Sequence, residues 1–125
     1  MFTKTPTDDN MRKIEQQMIQ AIKDNKTWRN GNTEVTLGSD GVSYVFLHGN
    51  LIAEVDDTSI TVYDGGWQSN TTKSRLNAIC KEFCIDGEGI FQEKFEWFVH
   101  KCIEQQFGIG VAYEREKFVN GYVFA

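Results

Sequence analysis

Apolar residues near the start of the chain recur at helical spacing: Met11, Ile14, Met18 and Ile22 fall on one narrow stripe. The surrounding TPTDDNMRKIEQQMIQAIKDNK predicts an N-terminal helix lying on the surface of the domain. Thr7, Asp8 or Asp9 can cap it, and acids suit the positive end of a helix. The pattern then changes to alternation. Three turn signals, Asp40-Gly41, Gly49-Asn50 and Asp57-Thr58, divide NTEVTLGSDGVSYVFLHGNLIAEVDDTSITVYDGG into four strands. Folding at all three aligns Val35 and Leu37 with Tyr44 and Phe46, these with Ala53 and Val55, and these with Ile60 and Val62. One face of a four-stranded antiparallel meander is then apolar throughout. A slip of one residue would turn a strand's whole apolar set over, so the agreement selects this register. The other face carries Val45, Leu47 and Ile52 among Glu34, Thr36, Glu54 and Thr61.

A second helix is predicted over TTKSRLNAICKEFC, with Leu76, Ile79, Cys80 and Phe83 as its buried stripe and Asn70, Thr71 or Thr72 as its cap. Residues 90–104 fit either a helix through Phe91, Phe95, Phe98 and Cys102 or a strand through Phe91, Phe95, Trp97 and Val99. Aromatic and β-branched residues favour strand for residues 95–100. Asn120-Gly121 between apolar flanks predicts a C-terminal β-hairpin. The expected fold is α+β, one domain over residues 1–125: a four-stranded antiparallel meander, an N-terminal helix, a second helix after the sheet and the C-terminal hairpin.

At 125 residues, with 40% hydrophobic and 25% charged residues, the composition is that of a globular domain. The formal charge of −5 argues against broad attraction to nucleic acid or anionic membrane. No apolar run approaches a membrane span. Cys80, Cys84 and Cys102 form an odd set with no secretory signal before them, and read as reduced thiols in a cytosolic protein. Cys80, Cys84, His100 and Cys102 can be assembled into four zinc ligands on paper, but their spacing matches no strong zinc pattern. Core packing is the better reading of the cysteines, and no metal or cofactor is expected. There is no nucleophile elbow, no phosphate loop of standard spacing and no nominated carboxylate pair, so the chain is not expected to be an enzyme.

The stretch GGWQSNTTKSRLN, residues 65–77, carries the chemistry. A helix begins near Thr71, yet Lys73 and Arg75 add positive charge to an end that is already positive. Thr71, Thr72 and Ser74 contribute hydroxyl donors, Gly65 and Gly66 let the backbone turn sharply, and Trp67 can stack on a ring. A phosphate or carboxylate bound there would convert the misplaced charge into a benefit. The alternative is structural: Trp67 in the core, Arg75 paired with an acid and Lys73 solvated. His48-Gly49-Asn50 sits at a hairpin tip, where plain turn chemistry and a contact role for His48 or Asn50 are both open.

VFLHGNLIAEV followed by GGWQSNTTKSRLN resembles a family of small tailed-bacteriophage proteins, in which an L-H-G-N-x-I-A hairpin precedes a G-W-x-x-x-T-T-K-S-R-L-N helix start. The resemblance covers roughly residues 32–77, with a weaker echo at IFQEKFEWFV. After His100 the chain departs from the family's shorter form. Small phage proteins commonly act against host defences or host enzymes, and one class, the nucleotide sponges, captures cyclic nucleotide signals without cleaving them. The resemblance thus implies a counter-defence protein in the host cytoplasm. It would bind an anionic small molecule, a cyclic nucleotide, and assemble as a homo-oligomer. The expected ligand contacts are Trp67, Thr71, Thr72, Lys73, Ser74, Arg75 and Asn77, with His48 and Asn50. A protein–protein inhibitor of a host enzyme or defence protein is the alternative.

Overall fold

Helix α1 spans Lys13–Lys23 in the computed structural model, which describes residues 11–103 and 112–125. Thr7, Asp8 and Asp9 lie outside the described residues; the helix starts after Arg12, which is extended and makes no side-chain cap. Its buried side chains are Glu15, Met18, Ile19, Ala21 and Ile22. The stripe is therefore wider than Met11, Ile14, Met18 and Ile22, and it contains one carboxylate.

The main sheet has six strands, not four. They are β1 (Trp28–Asn30), β2 (Thr33–Leu37), β3 (Ser43–Leu47), β4 (Asn50–Val55), β5 (Ile60–Val62) and, returning from the C-terminus, β9 (Tyr122–Phe124). All neighbours are antiparallel. Strand β1 is too short to show alternation, which is why the pattern did not reveal it.

The register of β3 differs from the expected one. Val35 pairs with Val45, and Thr36 with Tyr44. Between these strands the chain makes a three-residue loop, Ser39 to Gly41. The Gly41 amide donates to the Gly38 carbonyl at 3.0 Å, and the Gly38 amide donates to the Val42 carbonyl at 2.9 Å. One extra loop residue, with Gly41 at φ 85°, turns β3 over. A second slip follows in β4. Val45 pairs with Ala53 but Phe46 with Leu51, so Ile52 is inserted as a bulge. The two slips cancel. Val35, Ala53, Val55, Ile60 and Val62 share the buried face as expected, and Val45 and Leu47 join them. Tyr44 and Phe46 lie on the opposite face. The β4–β5 register matches expectation, with Val55 opposite Ile60 and Ala53 opposite Val62.

Helix α2 runs Asn70–Phe83 and is capped by Ser69, one residue before the predicted caps. It buries Leu76, Ala78, Ile79 and Cys80. A separate three-stranded sheet follows: β6 (Gly89–Glu93), β7 (Glu96–Ile103) and β8 (Ala112–Lys117). Residues 96–103 are thus strand, which contains most of the expected strand at residues 95–100, while Phe95 itself lies in the turn before it. The predicted C-terminal hairpin does not form. The turn at Asn120-Gly121 exists, closed by the Tyr122 amide on the Val119 carbonyl at 3.1 Å. Its flanks pair elsewhere, β8 with β7 and β9 with β5. The reason is core burial: Phe118 and Phe124, on either side of the turn, are both buried. Met18, Val35, Val45, Leu76, Ile79, Ile90, Trp97 and Phe124 belong to one apolar cluster shared by both sheets and both helices.

Candidate functional site

Two loops meet at the N-terminal end of α2. The first is the β3–β4 turn. His48 and Gly49 occupy it with φ of 53° and 80°, a two-residue turn of the kind that matches strand twist and requires left-handed residues at both positions. Leu47 pairs with Asn50 across it, and the His48 amide donates to the Asn32 carbonyl at 2.8 Å. The second loop is Asp64–Ser69. The Asp64 carboxylate accepts from the Gly66 amide at 2.7 Å, and the Trp67 amide donates to the Asp64 carbonyl at 3.3 Å. Gly65 has φ 70°, and a Cβ there would stand 3.2 Å from Ile52 Cγ2, so the loop sits tightly on the bulge of β4.

A cavity of about 370 Å³ opens where these loops meet. Five of the nine sequence-predicted contacts line it: His48, Asn50, Trp67, Thr71 and Thr72. Asp64 lines it as well. Trp67 is 75% exposed, so its ring is available to a ligand and is not part of the core. The Ser69 hydroxyl accepts from the Thr72 amide at 3.0 Å and shares a hydrogen bond of 2.8 Å with the Thr72 hydroxyl. The amides of Asn70 and Thr71 find no acceptor among the described residues. These two donors point along the positive end of the helix dipole, whose first turn carries no acid.

The other four predicted contacts lie elsewhere. Arg75 is buried, and its Nη1 donates to Glu15 at 2.8 Å while Nε donates to the Thr33 hydroxyl at 3.0 Å. The Ser74 hydroxyl donates to the same Glu15 oxygen at 2.6 Å. The Asn77 amide brackets Ile90, donating to its carbonyl at 2.8 Å and accepting from its N–H at 2.7 Å. Lys73 makes no ion pair among the described residues and does not line the cavity. The positive charge of Arg75 is therefore neutralised inside the protein, and Lys73 alone remains on the helix start.

A larger depression of about 1020 Å³ lies beside the C-terminal half of α2, between Asn77 and His100. Lys81, Glu82, Asp86 and Glu88 line it; Glu82 is paired with Lys23 and Glu88 with Lys101. The described residues hold no group of three or more His, Cys, Asp or Glu side chains placed for a metal ion. Cys80, Cys84 and Cys102 are free thiols, and a hydrogen bond with Cys84 together with burial pushes the Cys80 thiol well up. No helix among the described residues is long and apolar enough to cross a membrane.

Sequence reasoning passed over Asp64 and Glu15. Asp64 has a local signal, since an acid before two glycines is an Asx-turn pattern. Glu15 has none, because its partner lies 60 residues away.

The family model described as Kyanoviridae Gp96 protein matches residues 11–125. The chain belongs to that family of bacteriophage proteins. No curated protein and no solved structure matches it.

Proposed function

We propose that this phage protein binds and sequesters an anionic nucleotide signal of its host without cleaving it. The observation that carries the reading is convergence. His48 and Asn50, on one motif, and Trp67, Thr71 and Thr72, on another, line a single cavity. That cavity joins an exposed aromatic ring to the first turn of α2 at Thr71 and Thr72, the kinds of part that suit a base and a phosphate. A thermal-shift screen with cyclic dinucleotides, cyclic trinucleotides and cyclic ADP-ribose isomers tests it. A ligand at 100 times its Kd should stabilise the fold by about 2.7 kcal/mol. Intact ligand recovered after heat release separates capture from turnover. Absence of a shift with every ligand, into the millimolar range, counts against the reading. Because Trp67 is exposed, Trp67→Ala should leave the melting temperature nearly unchanged while weakening binding by about tenfold, from a stacking loss of about 1–3 kcal/mol.

A second reading, a protein that blocks a host protein, is favoured by one observation. Phe95 stands at the tip of the β6–β7 hairpin, 93% exposed and at φ 67°. A bulky aromatic gains nothing for the fold in that conformation, but a rigid exposed ring is a common interface anchor. A photo-crosslinking residue at position 95, used in infected cells, should then give one discrete adduct. The same residue at exposed Val119 should not.

A further inference from the structure

The edge of a sheet presents unpaired N–H and C=O groups, and proteins close such edges with short strands, bulges or cover. Among the described residues the two sheets have four edges, and three are closed. Strands β1 and β9 have only three residues each. The β6 edge is plugged at Ile90, whose N–H and carbonyl both bond the Asn77 side chain. Strand β8 is different. It has six residues, no proline and an unbroken register against β7. In an antiparallel pair, alternate residues bond the neighbour and those between them turn their N–H and C=O the other way. The Phe118 amide donates to the Trp97 carbonyl, so Glu116 and Glu114, at the same phase, bond β7. Cys102, opposite Tyr113, agrees: its amide donates to Glu88 at 3.0 Å, away from β8. Tyr113, Arg115 and Lys117 therefore aim their backbone groups off the edge, where no described residue bonds them.

We propose that β8 is a docking edge for a strand of another protein, one that carries basic residues at alternate positions. The side chains decide the occupant. Only the odd-numbered residues offer groups across the edge, so a second copy adding its own β8 by a two-fold axis must oppose odd to odd and even to even. Any register that pairs most of the strand then sets Glu114 or Glu116 against an acid and Arg115 or Lys117 against a cation. Like charges directly opposite are destabilising, so the edge rejects its own copy. The two cations are already matched, Arg115 by Glu93 and Lys117 by Glu96 at 3.1 Å. Glu114 is exposed and has no hydrogen bond or ion pair among the described residues. Lys101, opposite it on β7, is held by Glu88 at 3.0 Å. The unmatched charge along the edge is therefore acidic, on the face of Glu114 and Glu116, and basic residues on an incoming strand match it. The proposal needs neither the nucleotide cavity nor the Phe95 contact.

The test is amide hydrogen exchange, read by NMR on the full chain, with three end-blocked peptides. TKVKVKT is the matching strand, TEVEVET reverses its charge, and TKPKPKT keeps the charge but replaces both valines by proline, which removes strand N–H donors. With about nine-tenths of the chain bound to TKVKVKT, exchange at Tyr113, Arg115 and Lys117 should slow about tenfold, because only the free edge exchanges. The other two peptides should leave these three amides unchanged. Glu114→Lys breaks no contact of the fold and should weaken TKVKVKT by about fivefold, as one cross-strand charge pair turns repulsive. Equal effects of TKVKVKT and TKPKPKT, or binding that leaves the three amides unprotected, would reduce the interaction to charge attraction and overturn the proposal. So would an unchanged affinity in Glu114→Lys, or no binding of TKVKVKT into the millimolar range. Protection of the same amides that rises with protein concentration, without peptide, would give the edge to a second copy and overturn the occupant named here.

Discussion

Arg75 and Glu15 are both almost fully buried, and Thr33, Asn32 and Ser74 complete their hydrogen bonds. Removing one charge strands the other in a medium that cannot solvate it. Arg75→Ala should therefore destabilise the fold by about 3–5 kcal/mol, and Glu15→Ala by a similar amount. The double variant should lose less than the sum, because no unpaired charge remains. Urea denaturation of the three variants measures this; a loss within about 1 kcal/mol for Arg75→Ala would mean that the pair is not structural. The sequence left this residue open between a ligand and an acid, since the deciding partner is on another helix. By contrast, the exposed turn at Asp56 is legible locally. Its carboxylate accepts from the Thr58 amide at 2.8 Å and the Ser59 amide at 2.7 Å. The Thr58 amide, then the Ser59 amide, hold the Asp56 carboxyl below its ordinary 3.8. A depressed folded-state pKa stabilises the protein above the unfolded value and loses that effect as pH falls through the lower one. Asp56→Ala should thus be less stable than the wild type at pH 7, and the gap should narrow below pH 3.8. Thermal melts across that range check it.

Strand β3 shows why the elements were legible and their facing was not. Tyr44, Val45, Phe46 and Leu47 are all apolar or aromatic, so this strand fits the core by either face. Only the loop length before it and the bulge after it decide, and neither Asp40-Gly41 nor Leu51-Ile52-Ala53 marks an extra residue in its composition. Strands β2, β4 and β5 alternate more cleanly, and Val35, Ala53, Val55, Ile60 and Val62 lie on the expected side, whereas Ile52, expected on the other face, is buried at the bulge. The small sheet was half legible for another reason. Its hairpin turn is Lys94-Phe95, with φ of 52° and 67°, where turn chemistry would place Asn-Gly. Non-glycine residues in this region cost roughly 1–2 kcal/mol each. Replacing Lys94-Phe95 by Asn-Gly should therefore stabilise the hairpin by about 1 kcal/mol or more, read as an increase in melting temperature. No gain would mean that Phe95 contributes packing to the fold despite its exposure. Asn77 belongs to this scale too, since its side chain acts on Ile90 as a neighbouring strand would, tying α2 to β6.

The two sheets differ in position along the chain, yet they share one apolar cluster, and the C-terminal segment closes it. After β8 the chain crosses at Phe118–Gly121 and adds β9 to the edge of β5. Phe118 meets Trp97 of the small sheet edge to face, with ring centroids 5.2 Å apart, while its amide donates to the Trp97 carbonyl at 3.1 Å. Phe124 pairs with Ile60 of the large sheet and packs against Tyr122. A pattern of turns and alternation could find the strands on either side of Asn120-Gly121, but pairing to two different sheets is a property of the whole core. If the core is one unit, damage at β9 must be felt in both sheets. Phe124→Ala should cost about 3–5 kcal/mol, the usual range for truncating a buried phenylalanine. It should lower the protection of β4 and β7 amides together in native-state hydrogen exchange, because globally exchanging amides report the same unfolding equilibrium. Independent sheets would respond differently: β4 amides would lose protection while β7 amides kept theirs, and the melt would split into two transitions. The shared burial of Ile90, Trp97 and Val99 with Val45, Ala53 and Val62 favours the single transition.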